Sequence, residues 1–121
     1  MAQGQIKGKP TETLSITYIS NTAVNSGGLA NTSAHKKGGM LFYRGNLAVG
    51  AMASNTDYTI GKIEGWNASY TAVTEVPGHT LPSVTALVQI DSNGTLHVST
   101  AQGSSSSCWF RCNLCVPSVG G

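Results

Sequence analysis

The chain has 121 residues, of which only 10% are charged, and a formal net charge of +2. That length fits one domain with a real core, and that charge is too small for a protein that must neutralise several phosphates of a nucleic acid. Hydrophobic residues make up 40% of the chain and fall in patterned runs, which excludes an unfolded polymer.

Low charge combined with many β-branched residues favours strands, because surface helices draw on Lys, Glu, Ala and Leu. Residues 1–13 are polar and include Gly4, Gly8 and Pro10. They read as an N-terminal arm, either loose or ordered against a partner subunit. Lys7 with Lys9 and Lys36 with Lys37 are the basic clusters, and neither has an aromatic neighbour. The stretch Met1-Ala2-Gln3-Gly4-Gln5 is no apolar leader, and no run approaches the ~20 apolar residues of a membrane span. The expectation is a soluble protein made in a cytosol, with no membrane insertion and no nucleic-acid partner.

Leu14-Ser15-Ile16-Thr17-Tyr18-Ile19 alternates as a strand with one dry and one wet side. A loop is expected at Ser26-Gly27-Gly28 and again over residues 31–39, with His35-Lys36-Lys37 as its solvated tip. Met40-Leu41-Phe42-Tyr43 and Leu47-Ala48-Val49 form a candidate hairpin reversing at Arg44-Gly45-Asn46. After a turn at Ser54-Asn55-Thr56-Asp57 comes the strand Tyr58-Thr59-Ile60-Gly61-Lys62-Ile63, in which Tyr58, Ile60 and Lys62 alternate with Thr59, Gly61 and Ile63. Gly65-Trp66-Asn67 interrupts the pattern. Ser69 to Val76 resumes it until Pro77-Gly78, and His79-Thr80-Leu81-Pro82 leads on.

The best-defined element follows. Val88 with Ile90, and Leu96 with Val98, each lie two apart around Asp91-Ser92-Asn93-Gly94. Period-two spacing puts each pair on one face of a strand, and Asn93-Gly94 suits a tight hairpin turn. A loop over residues 104–107 precedes the last strand. In it Phe110, Cys112, Leu114 and Val116 face one way, with Trp109, Arg111 and Asn113 opposite, until Pro117 ends it. No helical stripe is present. About seven or eight short strands read as an all-β sandwich or closed barrel over residues 14–121.

Chemistry is sparse. Cys112-Asn113-Leu114-Cys115 has C-x-x-C spacing, but in a β-run residues three apart point to opposite faces, so the two sulfurs do not share a metal. Cys108 and Cys112 share a face about 13 Å apart, beyond disulfide reach. The cysteines read as small core residues, and no second C-x-x-C completes a zinc site. His35, His79 and His97 are scattered, and no G-x-S-x-G elbow accompanies them. Asp57 and Asp91 both sit beside turns, where capping their own backbone is the expected role. The chain is therefore read as a non-enzyme with no metal and no cofactor. The aromatics Trp66, Tyr70, Trp109 and Tyr43 are the natural contact residues. Trp66, in its loop with Asn67 and near Tyr70, is the candidate ligand-binding site; the alternative is that Trp66 folds back and plugs one end of the sandwich.

Over residues 40–117 four segments follow in order: Tyr58-Thr59-Ile60-Gly61-Lys62-Ile63, Leu81-Pro82-Ser83-Val84, the hairpin from Val88 to Val98, and Trp109 to Pro117. In order and spacing this resembles phage tail-fibre and receptor-binding tip domains. The resemblance implies an antiparallel β-sandwich of jelly-roll type, usually a homotrimer, assembled with other structural proteins of a virion and often contacting a host-surface glycan. A trimer also suits a low-charge, Thr-rich surface that can bury faces between copies. Localisation in a virion, after synthesis in the host cytoplasm, follows from the same resemblance. The alternatives are a capsid decoration or head-fibre protein, whose polar arm would lie along the capsid, and a carbohydrate-binding β-sandwich module.

Overall fold

A computed structural model describes residues 11–18, 32–78, 84–103 and 108–119. Among them are nine strands and no helix: β1 (Glu12–Leu14), β2 (Ile16–Tyr18), β3 (Ser33–Lys37), β4 (Met40–Val49), β5 (Tyr58–Ile63), β6 (Ala72–Pro77), β7 (Thr85–Ile90), β8 (Thr95–Thr100) and β9 (Cys108–Pro117). They form two antiparallel sheets, ordered β1-β3-β4-β9 and β2-β5-β8-β7-β6. The chain is thus an all-β antiparallel sandwich. Strands β5 to β8 lie in the spatial order of a Greek key, β5 returning beside β8 rather than beside β6. Residues 1–10, the Ser26-Gly27-Gly28 loop, His79 to Pro82 and residues 104–107 lie outside the described residues. Glu12 and Thr13, read as the end of the arm, are already in β1.

The hairpin read from sequence is the centre of the larger sheet. Val88 pairs with Val98 and Ile90 with Leu96, and all four side chains are fully buried. Gly94 alone has positive φ (+96°), and Gly94 N–H donates to the Asp91 carbonyl while Asp91 N–H donates to Thr95. This is a three-residue loop closed by a glycine bulge. Asn93 caps it, its Oδ1 accepting from Thr95 N at 3.0 Å.

Four expectations are corrected. Residues 14–18 do not make one strand: the chain turns a corner at Ser15, so β1 joins the smaller sheet and β2 the larger, and Ile19 lies outside the described residues. The loop over residues 31–39 contains β3, and the reversal lies at Gly38-Gly39, whose φ values of +61° and +80° suit a tight primed turn. Nor is there a hairpin at Arg44-Gly45-Asn46. Strand β4 runs straight through, pairing residue by residue with β9 from Met40↔Pro117 to Val49↔Cys108. Gly45 is there because the Tyr43 ring lies over it: a Cβ would come within 2.5 Å of that ring. Finally, β5 carries a bulge between Thr59 and Gly61. The bulge breaks strict alternation and lets Ile60 and Ile63 both enter the core.

The core lies between the sheets, with Leu41, Tyr43, Leu47, Phe110 and Val116 from one side and Ile60, Ile90, Leu96 and Val98 from the other. Burial and desolvation hold the Tyr43 phenol far above its ordinary pKa, reinforced by Tyr18, whose hydroxyl lies 3.5 Å away.

Candidate functional site

The sequence candidates Trp66, Asn67 and Tyr70 do not form one patch. Trp66 is 2% exposed and belongs to the core. The segment carrying it is pinned under the hairpin tip: Ile63 N–H donates to the Gly94 carbonyl and Ala68 N–H to the Ser92 carbonyl. It is also tied to the end of β9 by Ser69 N–H to Pro117 and Val119 N–H to Asn67. Backbone bonded on two sides turns the indole inward as a plug. Its Nε1 is buried with no hydrogen-bond partner among the described residues. Asn67 and Tyr70 remain outside, Tyr70 being 55% exposed. The side chain of Trp109 is outside the described residues.

The outer face of the larger sheet holds a cluster that sequence reading missed. His97 on β8 sits between two carboxylates, with Nδ1 2.9 Å from Asp57 Oδ2 and Nε2 2.7 Å from Asp91 Oδ2. Gln89 Nε2 donates to the other Asp91 oxygen at 2.8 Å. The aspartates therefore bind a cross-strand imidazole rather than cap their own turns. Both ring nitrogens can donate at once only in the imidazolium. Burial alone would lower the His97 pKa, but the Asp91 hydrogen bond and the charges of Asp57 and Asp91 outweigh it and raise it. Burial likewise opposes the Asp91 shift, yet the bonds from Gln89 and His97 bring its carboxyl below the ordinary value. A general base needs one nitrogen available to its nucleophile. Here Thr59 Oγ1 lies 3.4 Å from the same Nδ1 that Asp57 occupies. The cluster reads as a structural clamp.

The cysteines divide as their parity in the strand requires. Cys112 is buried, and burial pushes its thiol up to about 11; Cys115 is exposed on the opposite face. No group of metal-ligating side chains is assembled among the described residues.

The smaller sheet presents a different surface. Alternation turns Ser33, His35 and Lys37 of β3, Phe42 and Arg44 of β4, and Arg111, Asn113 and Cys115 of β9 outward. A groove of about 560 Å³ crosses this face, lined by Thr32, Ser33, Arg44, Arg111 and Asn113 over a floor at Gly45 and Cys112. A second hollow of about 270 Å³ shares Arg44 and Asn113 with it and extends to His35 and Phe42. Those two rings are stacked, with centroids 4.9 Å apart and planes at 16°. Asn113 is the direct cross-strand partner of Arg44, and Arg111 lies two residues along β9, at the diagonal. Among the described residues neither arginine has a carboxylate within ion-pair distance. The sequence shows both arginines, but their juxtaposition depends on a β4–β9 pairing between distant segments, which no local pattern announces.

Comparison with protein-family models, with curated proteins and with solved structures returns no match.

Proposed function

We infer that this chain is a non-enzymatic structural domain of a virion, of the tail-fibre or receptor-binding type, which assembles with copies of itself and adheres to a host surface. The observation that supports this reading is the contrast between the two outer faces of the sandwich. On the larger sheet, Val73 and Leu87 are diagonal neighbours on β6 and β7, exposed by 53% and 42%. Strand β6, which carries Val73, is an edge strand of that sheet, and β7, which carries Leu87, is its neighbour. Exposed apolar side chains next to a sheet edge favour contact with another copy. The smaller sheet instead offers a polar, cationic groove with an aromatic wall, suited to a hydrophilic ligand. A rigid sandwich with one face for assembly and one for contact is what an adhesion domain requires.

Light scattering on the purified protein, alone and after Val73→Asp or Leu87→Asp, tests the assembly half. A trimer that dissociates in the variants is the expected result. A wild-type monomer that binds neither cells nor glycans overturns the reading, whereas a monomer that binds glycans through this groove favours a carbohydrate-binding module.

A further inference from the structure

We propose that the groove on the outer face of the β1-β3-β4-β9 sheet is a binding site for an acidic saccharide, a sugar ring carrying a carboxylate. The assignment rests on the adhesion reading and specifies the ligand class.

Electrostatics supply the first argument. Two like charges at diagonal positions on one sheet face repel, and in a chain with only 10% charged residues such a placement is conspicuous. On the opposite sheet the corresponding problem is solved, because His97 has a carboxylate on each nitrogen. Here Lys37, Arg44 and Arg111 share a face on which no described residue is acidic. The acidic residue of this sheet, Glu12, pairs with Lys36 in the register, on the inward-pointing set of positions. The two guanidiniums are therefore left to a ligand, and a planar fork fits a carboxylate with two parallel N–H···O bonds.

The remaining lining chooses the rest of the ligand. Ser33 and Asn113 offer a hydroxyl and an amide, groups that pair with sugar hydroxyls. The stacked His35–Phe42 pair, which adjoins Arg44 in the second hollow, gives a flat apolar wall for the C–H face of a ring. A groove of about 560 Å³ falls within the size range of small-ligand clefts. A nucleic acid would call for a longer track of cations than two arginines and Lys37.

Titration of the ¹⁵N-labelled protein with sialyllactose, a glucuronic-acid disaccharide, lactose and a short oligothymidylate tests the assignment. Saturable shifts of the Arg44 and Arg111 Nε–H signals are expected with at least one acidic sugar, and none with lactose. Arg44→Gln and Arg111→Gln should each weaken that binding about tenfold or more, as expected for loss of a charge-assisted bond. Lys62→Gln, on the other sheet, should leave it within about twofold. Both arginines are exposed, and the wild-type shift map locates binding even if a variant folds poorly. Failure of both acidic sugars, equal binding of lactose, or stronger binding of the oligonucleotide overturns the assignment. Glycan or cell binding that survives in the Arg44→Gln/Arg111→Gln double variant leaves adhesion standing and removes only the groove.

Discussion

Gly94 joins the hairpin tip to the Trp66 plug, and its replacement by alanine separates two costs that glycine substitutions usually mix. The first is conformational. Gly38 and Gly94 both have positive φ, +61° and +96°, so a Cβ is strained at either, at roughly 1–2 kcal/mol. The second is contact. A Cβ on Gly38 meets nothing within 4 Å, whereas one on Gly94 would lie 2.3 Å from the Ile63 carbonyl oxygen and 3.0 Å from Trp66 Cβ. That oxygen is backbone and cannot rotate aside, and the same segment is held by the bond from Ile63 N–H to the Gly94 carbonyl. Overpacking of this kind adds about 1–3 kcal/mol. Gly94→Ala should therefore cost about 2–5 kcal/mol and Gly38→Ala about 1–2. For a domain of this size the difference is a Tm gap of roughly 4–12 °C. Thermal and urea unfolding followed by circular dichroism measure it. Equal losses in the two variants would refute the claim that the hairpin tip is packed against the Trp66 segment.

The His97 clamp gives a pH signature. The raised His97 pKa stabilises fully below its unfolded value of about 6.5 and is lost as pH rises through the folded value; the lowered Asp91 pKa stabilises above about 3.9 and is lost as pH falls through the folded value. The stability difference between wild type and His97→Gln, followed through Tm, should thus be widest between about pH 4 and 6.5, at roughly 1 kcal/mol given partial exposure, and a pH-independent difference would refute the clamp. In a Cys108→Ser background, a thiol reagent should modify Cys115 in the native protein, with Cys112 reacting only on unfolding. Two equally fast thiols would contradict the assignment of β9 faces.

How much was legible in the sequence depended on the range of the interaction. Val88, Ile90, Leu96 and Val98 were readable because alternation and a glycine-bearing turn are local signals, and the opposite facing of Cys112 and Cys115 followed from the same parity. Gly45 reads as a reversal because glycine between two apolar runs signals one, while its actual cause, the Tyr43 ring above it, is a packing fact. His35-Lys36-Lys37 reads as a loop because its strand is polar on the outside and keeps only Ala34 fully buried. Trp66 could be read either way from its loop. Backbone bonds to Ser92, Gly94 and Pro117 decide the matter, and all three partners are distant in sequence. For the same reason neither the Asp57–His97–Asp91 clamp nor the Arg44–Arg111 pair could be assembled from spacing alone.

The arginine pair also implies a conflict between stability and function. Asn113 stands directly across from Arg44, with Arg111 at its diagonal, so Asn113→Asp would place a carboxylate between the two cations with almost no change in shape. If the arginines are an unrelieved like-charge pair, the variant should gain about 0.5–1 kcal/mol, a Tm increase of roughly 2–4 °C that fades at high salt. The same carboxylate would occupy the site assigned to the ligand and suppress binding of acidic sugars. Should Asn113→Asp destabilise the protein at every ionic strength, the two arginines are not an unsatisfied pair, and the charge argument for the groove falls with them.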